Sequence, residues 1–275
     1  MEINRKNVME VIDKSGLRPD KDYGQNYLLE PELAKRIIDL LDIQEGEIVL
    51  EIGPGLGSLS HFLSLYENSQ ITLVDIDERM INFLKIIYNK KNISLVLNDI
   101  RKHDVSTYDK IVGNLPYNIT TETVIYLLEN AKNVKRMVLM CQAEAFPRFN
   151  DLSGKEYGPV SILIHLLGKS TRNFTVKPGS FYPIPKCSSV VFTIDVDKNT
   201  NYEEAISVYR FAKKMFLNRR KTIYNNLSSF VGDKELASTL LGKAGIAPTK
   251  RPEELSPQDF VSLFTCVNGN SKLFS

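Results

Sequence analysis

Cysteine and histidine are scarce in this chain, with three of each in 275 residues. Cys141, Cys187 and Cys266 are odd in number, far apart and in no Cys-x-x-Cys spacing. That argues against a disulfide framework or a zinc site and fits a reducing cytosol. The scattered His and Cys form no ligand cluster, so no metal is expected. Long apolar runs are missing as well. None has the length of a bilayer span, and none follows a basic start, so neither a membrane segment nor a signal peptide is expected. A strong charge of one sign is also missing. The net charge is only +2, so composition alone announces no polyanionic partner.

What is there is an ordinary globular composition, 43% apolar and 25% charged, with length enough for one large domain and one small one. Such a core needs no cross-link to hold it. The charge is unevenly placed. Residues 200–275 carry eleven Lys and Arg against seven Asp and Glu, which leaves residues 1–199 slightly acidic at −2. The basic excess is therefore local and C-terminal.

Hydrophobic periodicity gives a short helix at 8–15, then a helix opened by Pro31 with Leu33, Ile37, Leu40 and Leu41 on one face. Strands are expected at 48–52, 71–76, 93–97, 110–113 and 137–141, with helices at 59–65, 79–88 and 120–128 between them. This alternation implies an α/β fold, a Rossmann-like parallel sheet with helices on both faces. Residues 170–176 and 189–196 read as two strands joined by a Gly/Pro-rich turn, an antiparallel hairpin at one end of the sheet. The polar stretch 197–201 is a linker, and beyond it the pattern is helical. The expected domains are a catalytic domain at 1–196 and a small all-helical domain at 202–275.

Glu51-Ile52-Gly53-Pro54-Gly55-Leu56-Gly57 follows a strand and opens a helix. Glycines permit a tight turn and let a ligand approach the backbone. A dinucleotide fingerprint spaces its glycines G-x-G-x-x-G and sets a pyrophosphate on the helix N-terminus. Here the spacing is G-x-G-x-G, and Glu51 precedes it. An acid there repels a pyrophosphate but suits a ligand with an ammonium group, such as the methionyl end of S-adenosylmethionine. Asp75 ends the next strand, placed to accept from both ribose hydroxyls. Asp99 follows the third strand, where it can accept from the adenine amine, with Ile76 and Ile100 on the two faces of the ring. Taken singly, Asp99 is a helix N-cap; what speaks for more is that the acids stand at the ends of successive strands.

Asn114-Leu115-Pro116-Tyr117 follows the fourth strand. Asn and Pro form turns, but the residues also suit one chemistry. An exocyclic adenine amine is a poor nucleophile because its lone pair is delocalised into the ring. Acceptors on its two N–H groups, the Asn114 side-chain oxygen and the Leu115 carbonyl, would localise that lone pair. Pro116 stiffens the turn, and Tyr117 offers a face for stacking. No general base is needed if the proton leaves after methyl transfer. Phe181, in Ser180-Phe181-Tyr182-Pro183-Ile184-Pro185-Lys186, can cover the other face of an extruded base; a core contact under the hairpin accounts for it equally well.

These segments together resemble the KsgA-type small-subunit ribosomal RNA adenine dimethyltransferases. The likeness runs through GQNYL at 24–28, EIGPGLGSLS at 51–60, the acid of LVDID at 73–77, NDI at 98–100, NLPYNITT at 114–121, SFYPIPKCSS at 180–189, NRRKTIYNNL at 218–227 and the helical segment 241–264. It covers nearly the whole chain. Asn-Leu-Pro-Tyr with Phe-x-Pro-x-Pro-Lys is highly specific; the glycine loop is not. The resemblance implies a class I methyltransferase sheet and S-adenosylmethionine as cofactor. Gln25, Asn26 and Leu28 would border that cofactor with Gly53, Asp75, Asp99 and Asn114, while Asn114 and Tyr117 hold the target amine and Phe181 stacks on the base. It further implies transfer of four methyl groups to two adjacent adenosines near the 3′ end of small-subunit rRNA, on an immature subunit, by a cytoplasmic monomer. The sequence departs from the family at Asp75, where Glu is usual, at Tyr27 for Phe, at Cys187 for Val, and in lacking the Lys that usually follows Gln142.

Arg210, Lys213, Lys214, Arg220 and Lys221 fall at i, i+3, i+4, i+10 and i+11, which puts them on one basic stripe of a helix, with Arg219 beside it. A charge run is ordinarily a solvated face; here a single-signed stripe beside a slightly acidic catalytic domain points to RNA phosphates. Two other readings share much of this pattern: a resistance-type methyltransferase of large-subunit rRNA, and a ribosome-assembly factor that kept the fold and lost catalysis. Leu115 within Asn-Leu-Pro-Tyr, the glycine loop and the Arg-Arg-Lys segment favour the small subunit. An intact Asn114, Pro116 and Tyr117 favours catalysis.

Overall fold

The computed structural model describes residues 2–20, 23–116 and 119–269. In chain order the elements are α1 (Val8–Ser15), β1 (Tyr27–Leu28), α2 (Pro31–Asp39), β2 (Ile48–Ile52), α3 (Ser60–Leu63), β3 (Gln70–Asp75), α4 (Glu78–Ile87), β4 (Ile93–Leu97), β5 (Lys110–Asn114), α5 (Thr120–Asn130), β6 (Arg136–Gln142), α6 (Pro147–Asn150), α7 (Pro159–Leu167), β7 (Gly168–Val176), β8 (Phe181–Tyr182), β9 (Ser189–Val196), α8 (Tyr202–Met215), α9 (Ile223–Val231), α10 (Lys234–Ala244) and α11 (Pro257–Asn268).

Seven strands form one sheet in the order β4-β3-β2-β5-β6-β9-β7. β2 pairs parallel with β3 on one side and β5 on the other, β4 extends one wing and β6 the other, also parallel. β9 runs antiparallel to β6, from Arg136↔Asp195 to Gln142↔Ser189. The expected hairpin strands thus close one end of the sheet, with β9 inside and β7 at the edge. Val49, Leu50 and Ile52 of β2 are all buried, as a central parallel strand covered on both faces requires. Because chain order turns from one wing to the other at β2, a crevice is expected at the carboxyl ends of β2, β3 and β5.

A second, two-stranded sheet pairs β1 with β8, Tyr27 opposite Tyr182 and Leu28 opposite Phe181. Two-residue strands have no periodicity to read, and this pairing has no sequence signal. It draws the Gly24–Leu28 segment and the Phe-Tyr-Pro segment together, helped by the Leu29 N–H donating to the Ser180 carbonyl at 2.9 Å.

The chain divides into two compact units, Met1–Phe146 with Thr171–Val196, and Pro147–Ser170 with Asp197–Ser275. The second unit therefore includes α6 and α7, which the sequence reading leaves on the sheet side of its boundary. In α7, Ile162, Leu163, Ile164 and Leu167 are all buried and only His165 is exposed; so narrow a polar face leaves little periodicity to reveal the helix. Tyr157 and Ile162 share a core with Val208, Phe211, Met215, Leu227, Leu240 and Phe260.

Candidate functional site

The loops at the carboxyl ends of β2, β3, β4 and β5 line one cleft with the segment before β1. Concave sites at strand ends are where small molecules and cofactors bind, and the cleft is partly open to solvent. Gln25, Asn26, Gly53, Gly55, Asp75, Ile76, Asp99, Ile100, Asn114, Leu115 and Pro116 all line it. Leu28 and Glu51 do not. They line a smaller adjoining recess that shares Asn26, Gly53, Gly55 and Asn114 with the cleft and adds Ser58.

The glycine loop owes its shape to backbone freedom at three glycines, two of which line the cleft. Gly53 and Gly55 have φ of 64° and 53°, the left-handed region that other residues enter at a cost. A Cβ on Gly55 would also lie 3.3 Å from ring carbons of Tyr27. The β1 segment thus packs directly on the loop.

The three acids occupy three different environments. Glu51 is 1% exposed; burial pushes its carboxyl up to about 8, against one bond from Ser60 Oγ at 2.6 Å. Asp75 is pushed up to about 6, again by burial. Its oxygens accept from the Asp77 N–H at 2.9 Å and the Gly55 N–H at 3.3 Å. Asp99 is held below the ordinary carboxylate range by Arg101, which donates from Nε at 3.1 Å, from Nη2 at 2.8 Å and from its backbone N–H at 2.9 Å. Asp99 therefore caps the turn at Ile100–Lys102 while still lining the cleft. Each carboxylate oxygen has more than one lone pair, so capping and ligand contact are compatible.

Asn114 ends β5 between the cleft and the recess. Its Nδ2 donates to the Asn26 carbonyl at 3.0 Å, which commits the amide nitrogen and leaves Oδ1 as the acceptor end. The Leu115 N–H donates to the Met140 carbonyl at 3.1 Å. The Pro116 carbonyl accepts from the Ile119 N–H at 3.2 Å and Thr120 Oγ1 at 2.9 Å, tying the loop to the start of α5. Tyr117 lies outside the described residues.

Three expectations need correction. Phe181 is 1% exposed and packs in the sheet core with Leu28, Ala34, Val176 and Val191; pairing with Leu28 turns it inward, so it offers no ring face to a base. The basic stripe is not one helix. α8 ends at Met215, and Arg220 and Lys221 lie in the exposed turn that follows. Arg219 is an internal tie: it donates to Glu253 at 2.8 Å and to the Gly154 carbonyl at 2.6 Å. Arg210, Lys213, Lys214, Arg220 and Lys221 are all exposed.

Besides Arg101, the partner of Asp99 that also lines the cleft, two residues at the site escaped sequence reading. Tyr23, 38% exposed, lines the cleft. Asp77, 3% exposed, lies under Gln25 and Arg79. Burial works to raise Asp77, but bonds from Arg79 and Gln25 outweigh it and hold its carboxyl low. The one sequence signal for Asp77 is its place before α4, that of an N-cap.

A family model described as ribosomal RNA adenine dimethylase matches residues 16–268. A protein of Hydrogenobaculum sp. (strain Y04AAS1), named ribosomal RNA small subunit methyltransferase A, is 35% identical over 92% of this chain and 96% of its own length. Among solved structures, a dimethyladenosine transferase from Plasmodium falciparum superposes with a TM-score of 0.74 at 26% identity, over 88% of this chain and 97% of that one. The 23S rRNA methyltransferase ErmE superposes at 0.68 and 21% identity, over 88% and 99%, a likeness of fold.

Proposed function

The chain belongs to the ribosomal RNA adenine dimethylase family, and from that premise we propose that it dimethylates the N6 amines of two adjacent adenosines near the 3′ end of small-subunit rRNA, on an immature subunit in the cytoplasm. The observation that carries the reading is the Asn114 carboxamide, held by its nitrogen on the Asn26 carbonyl with its oxygen as acceptor, at the edge of a cleft built from strand ends.

The residues present fit S-adenosylmethionine. Asp75 supplies a buried carboxylate for the ribose hydroxyls, Asp99 an acceptor for the adenine amine, and Ile76 with Ile100 apolar faces for the ring. Gly53 and Gly55 present backbone without side chains, and Glu51 stands in the adjoining recess, where a ligand ammonium would draw its raised carboxyl back toward the charged form. When bound, the cofactor supplies an electrophilic methyl group on a sulfonium centre.

The chain's own contribution is placement and charge. Asn114 Oδ1 and the Leu115 carbonyl accept from the two N–H groups of the target amine and localise its lone pair toward the methyl donor. These acceptors matter most as positive charge develops on nitrogen, so they act on the transition state more than on binding. The proton leaves afterwards, without a tuned base. Tyr117 stacks on the extruded base. Arg210, Lys213, Lys214, Arg220 and Lys221 hold RNA phosphates by charge, a term every sequence shares, so the site itself selects the adenosine.

Transfer of labelled methyl from S-adenosylmethionine to purified subunits tests the reading. Label should enter small subunits from cells lacking the enzyme and not fully modified small subunits. Label in large subunits alone would point instead to the large-subunit reaction.

A further inference from the structure

Asp77 takes no part in the chemistry just proposed, yet its bonds reach further than a helix cap needs. A cap requires an acceptor for a backbone N–H of the first turn, and Asp77 Oδ1 meets that with the Arg79 N–H at 3.0 Å. The same carboxylate also accepts from Arg79 Nε at 2.9 Å and Nη2 at 2.6 Å, and from Gln25 Nε2 at 2.9 Å. Gln25 is in turn fixed by its other end, where Oε1 accepts from the Asp20 N–H at 2.9 Å and the Tyr27 hydroxyl at 3.2 Å. Arg79 Nη2 also stands 3.7 Å from Asp20 Oδ2.

On its other side Asp77 reaches the cleft. Its backbone N–H donates to Asp75 Oδ1 at 2.9 Å, and Asp75 Oδ2 accepts from the Gly55 N–H at 3.3 Å. The ring of Tyr27 closes the circuit by packing on Gly55. A buried carboxylate bonded on both oxygens is costly to displace, because each lost partner leaves charge unpaired out of water.

We propose that Asp77 is a positioning residue that locks the Gly24–Tyr27 segment and the Asp75 carboxylate into one unit, so that cofactor affinity and the order of that segment rise and fall together. The inference rests on the reading that Asp75 holds the cofactor's ribose. It assigns Gln25 an indirect part, through Asp77, beyond bordering the ligand.

Asp77→Asn tests it, because Asn caps helices as well as Asp and keeps the shape. Its amide group presents a donor where Gln25 Nε2 and Arg79 need an acceptor. The dissociation constant for S-adenosylmethionine, measured by calorimetry, should rise about tenfold, the effect of losing a bond to a charged group. Hydrogen exchange in a peptide covering residues 23–28 should quicken and no longer slow on adding cofactor, whereas in wild type cofactor should slow it together with a peptide covering 53–57. Asp77→Ser, which still caps α4 but is too short to reach Gln25, should give the same pair of changes. Wild-type affinity and wild-type protection in both variants would overturn this inference alone. A wild-type chain that binds no S-adenosylmethionine would overturn it together with the proposed function.

Discussion

The Asn114 amide nitrogen donates to the Asn26 backbone carbonyl at 3.0 Å, so the segment before β1 sets which end of the Asn114 carboxamide can act as acceptor. Asn114→Ala should then keep most of its cofactor affinity and lose methyl transfer by about a hundredfold or more, the scale for removing one preorganised polar partner of a transition state. Calorimetry with S-adenosylmethionine and single-turnover transfer on small subunits separate the two. Transfer within a few-fold of wild type would make Asn114 a structural residue.

Phe181→Ala should act on stability. The ring is 1% exposed within the sheet core, and truncating a buried Phe costs about 3–5 kcal/mol. The midpoint of thermal unfolding should fall by roughly 10 °C for a chain of this size. An unchanged midpoint with a selective loss of transfer would return Phe181 to the stacking role that its motif suggested.

The legibility of the sequence divides along the same lines. The strands of the parallel sheet were readable because β2 to β6 are short apolar runs separated by amphipathic helices, and the cleft followed from their carboxyl ends. Asp75, Asp99 and Asn114 could be named because each stands at the end of a strand. Phe181 could not be decided, since its burial depends on the two-residue β1–β8 pairing, which has no period. Arg219 and Arg220 look alike in sequence; only Glu253 and Gly154, distant in the chain, separate them. Asp77 was hidden for a similar reason, its partner Gln25 being far away in sequence.

That difference predicts unlike phenotypes. Arg220→Glu with Lys221→Glu should weaken RNA binding and lower the slope of log K against log salt by about 0.7–0.9 per lost contact, with cofactor affinity unchanged. Arg219→Ala should lower the unfolding midpoint and leave that slope as it was. Filter binding across a salt series with thermal melts of each variant checks both. A slope lost in Arg219→Ala would make Arg219 a phosphate contact after all.

The pH dependence of stability should report Glu51. Burial raises its carboxyl from the ordinary 4.5 to about 8 in the folded chain, so the fold binds a proton there that the unfolded chain releases. The stabilisation is complete below about pH 4.5 and is lost as pH rises through about 8. Glu51→Gln resembles the protonated acid at every pH. Melting of the ligand-free proteins from pH 5 to 9 should therefore show the variant gaining on wild type as pH rises. Parallel profiles would mean that Glu51 is already ionised in the fold.

The central claim is the identity of the modified nucleotides, and primer extension on ribosomes from a strain lacking the gene tests it most directly. Dimethylated N6 cannot pair, so wild-type small-subunit RNA should stop the polymerase at two adjacent adenosines near its 3′ end. The deletion strain should read through there, and a plasmid copy should restore the stops where an Asn114→Ala copy does not. Unchanged stops in the small subunit, with a stop lost from large-subunit RNA, would contradict the account.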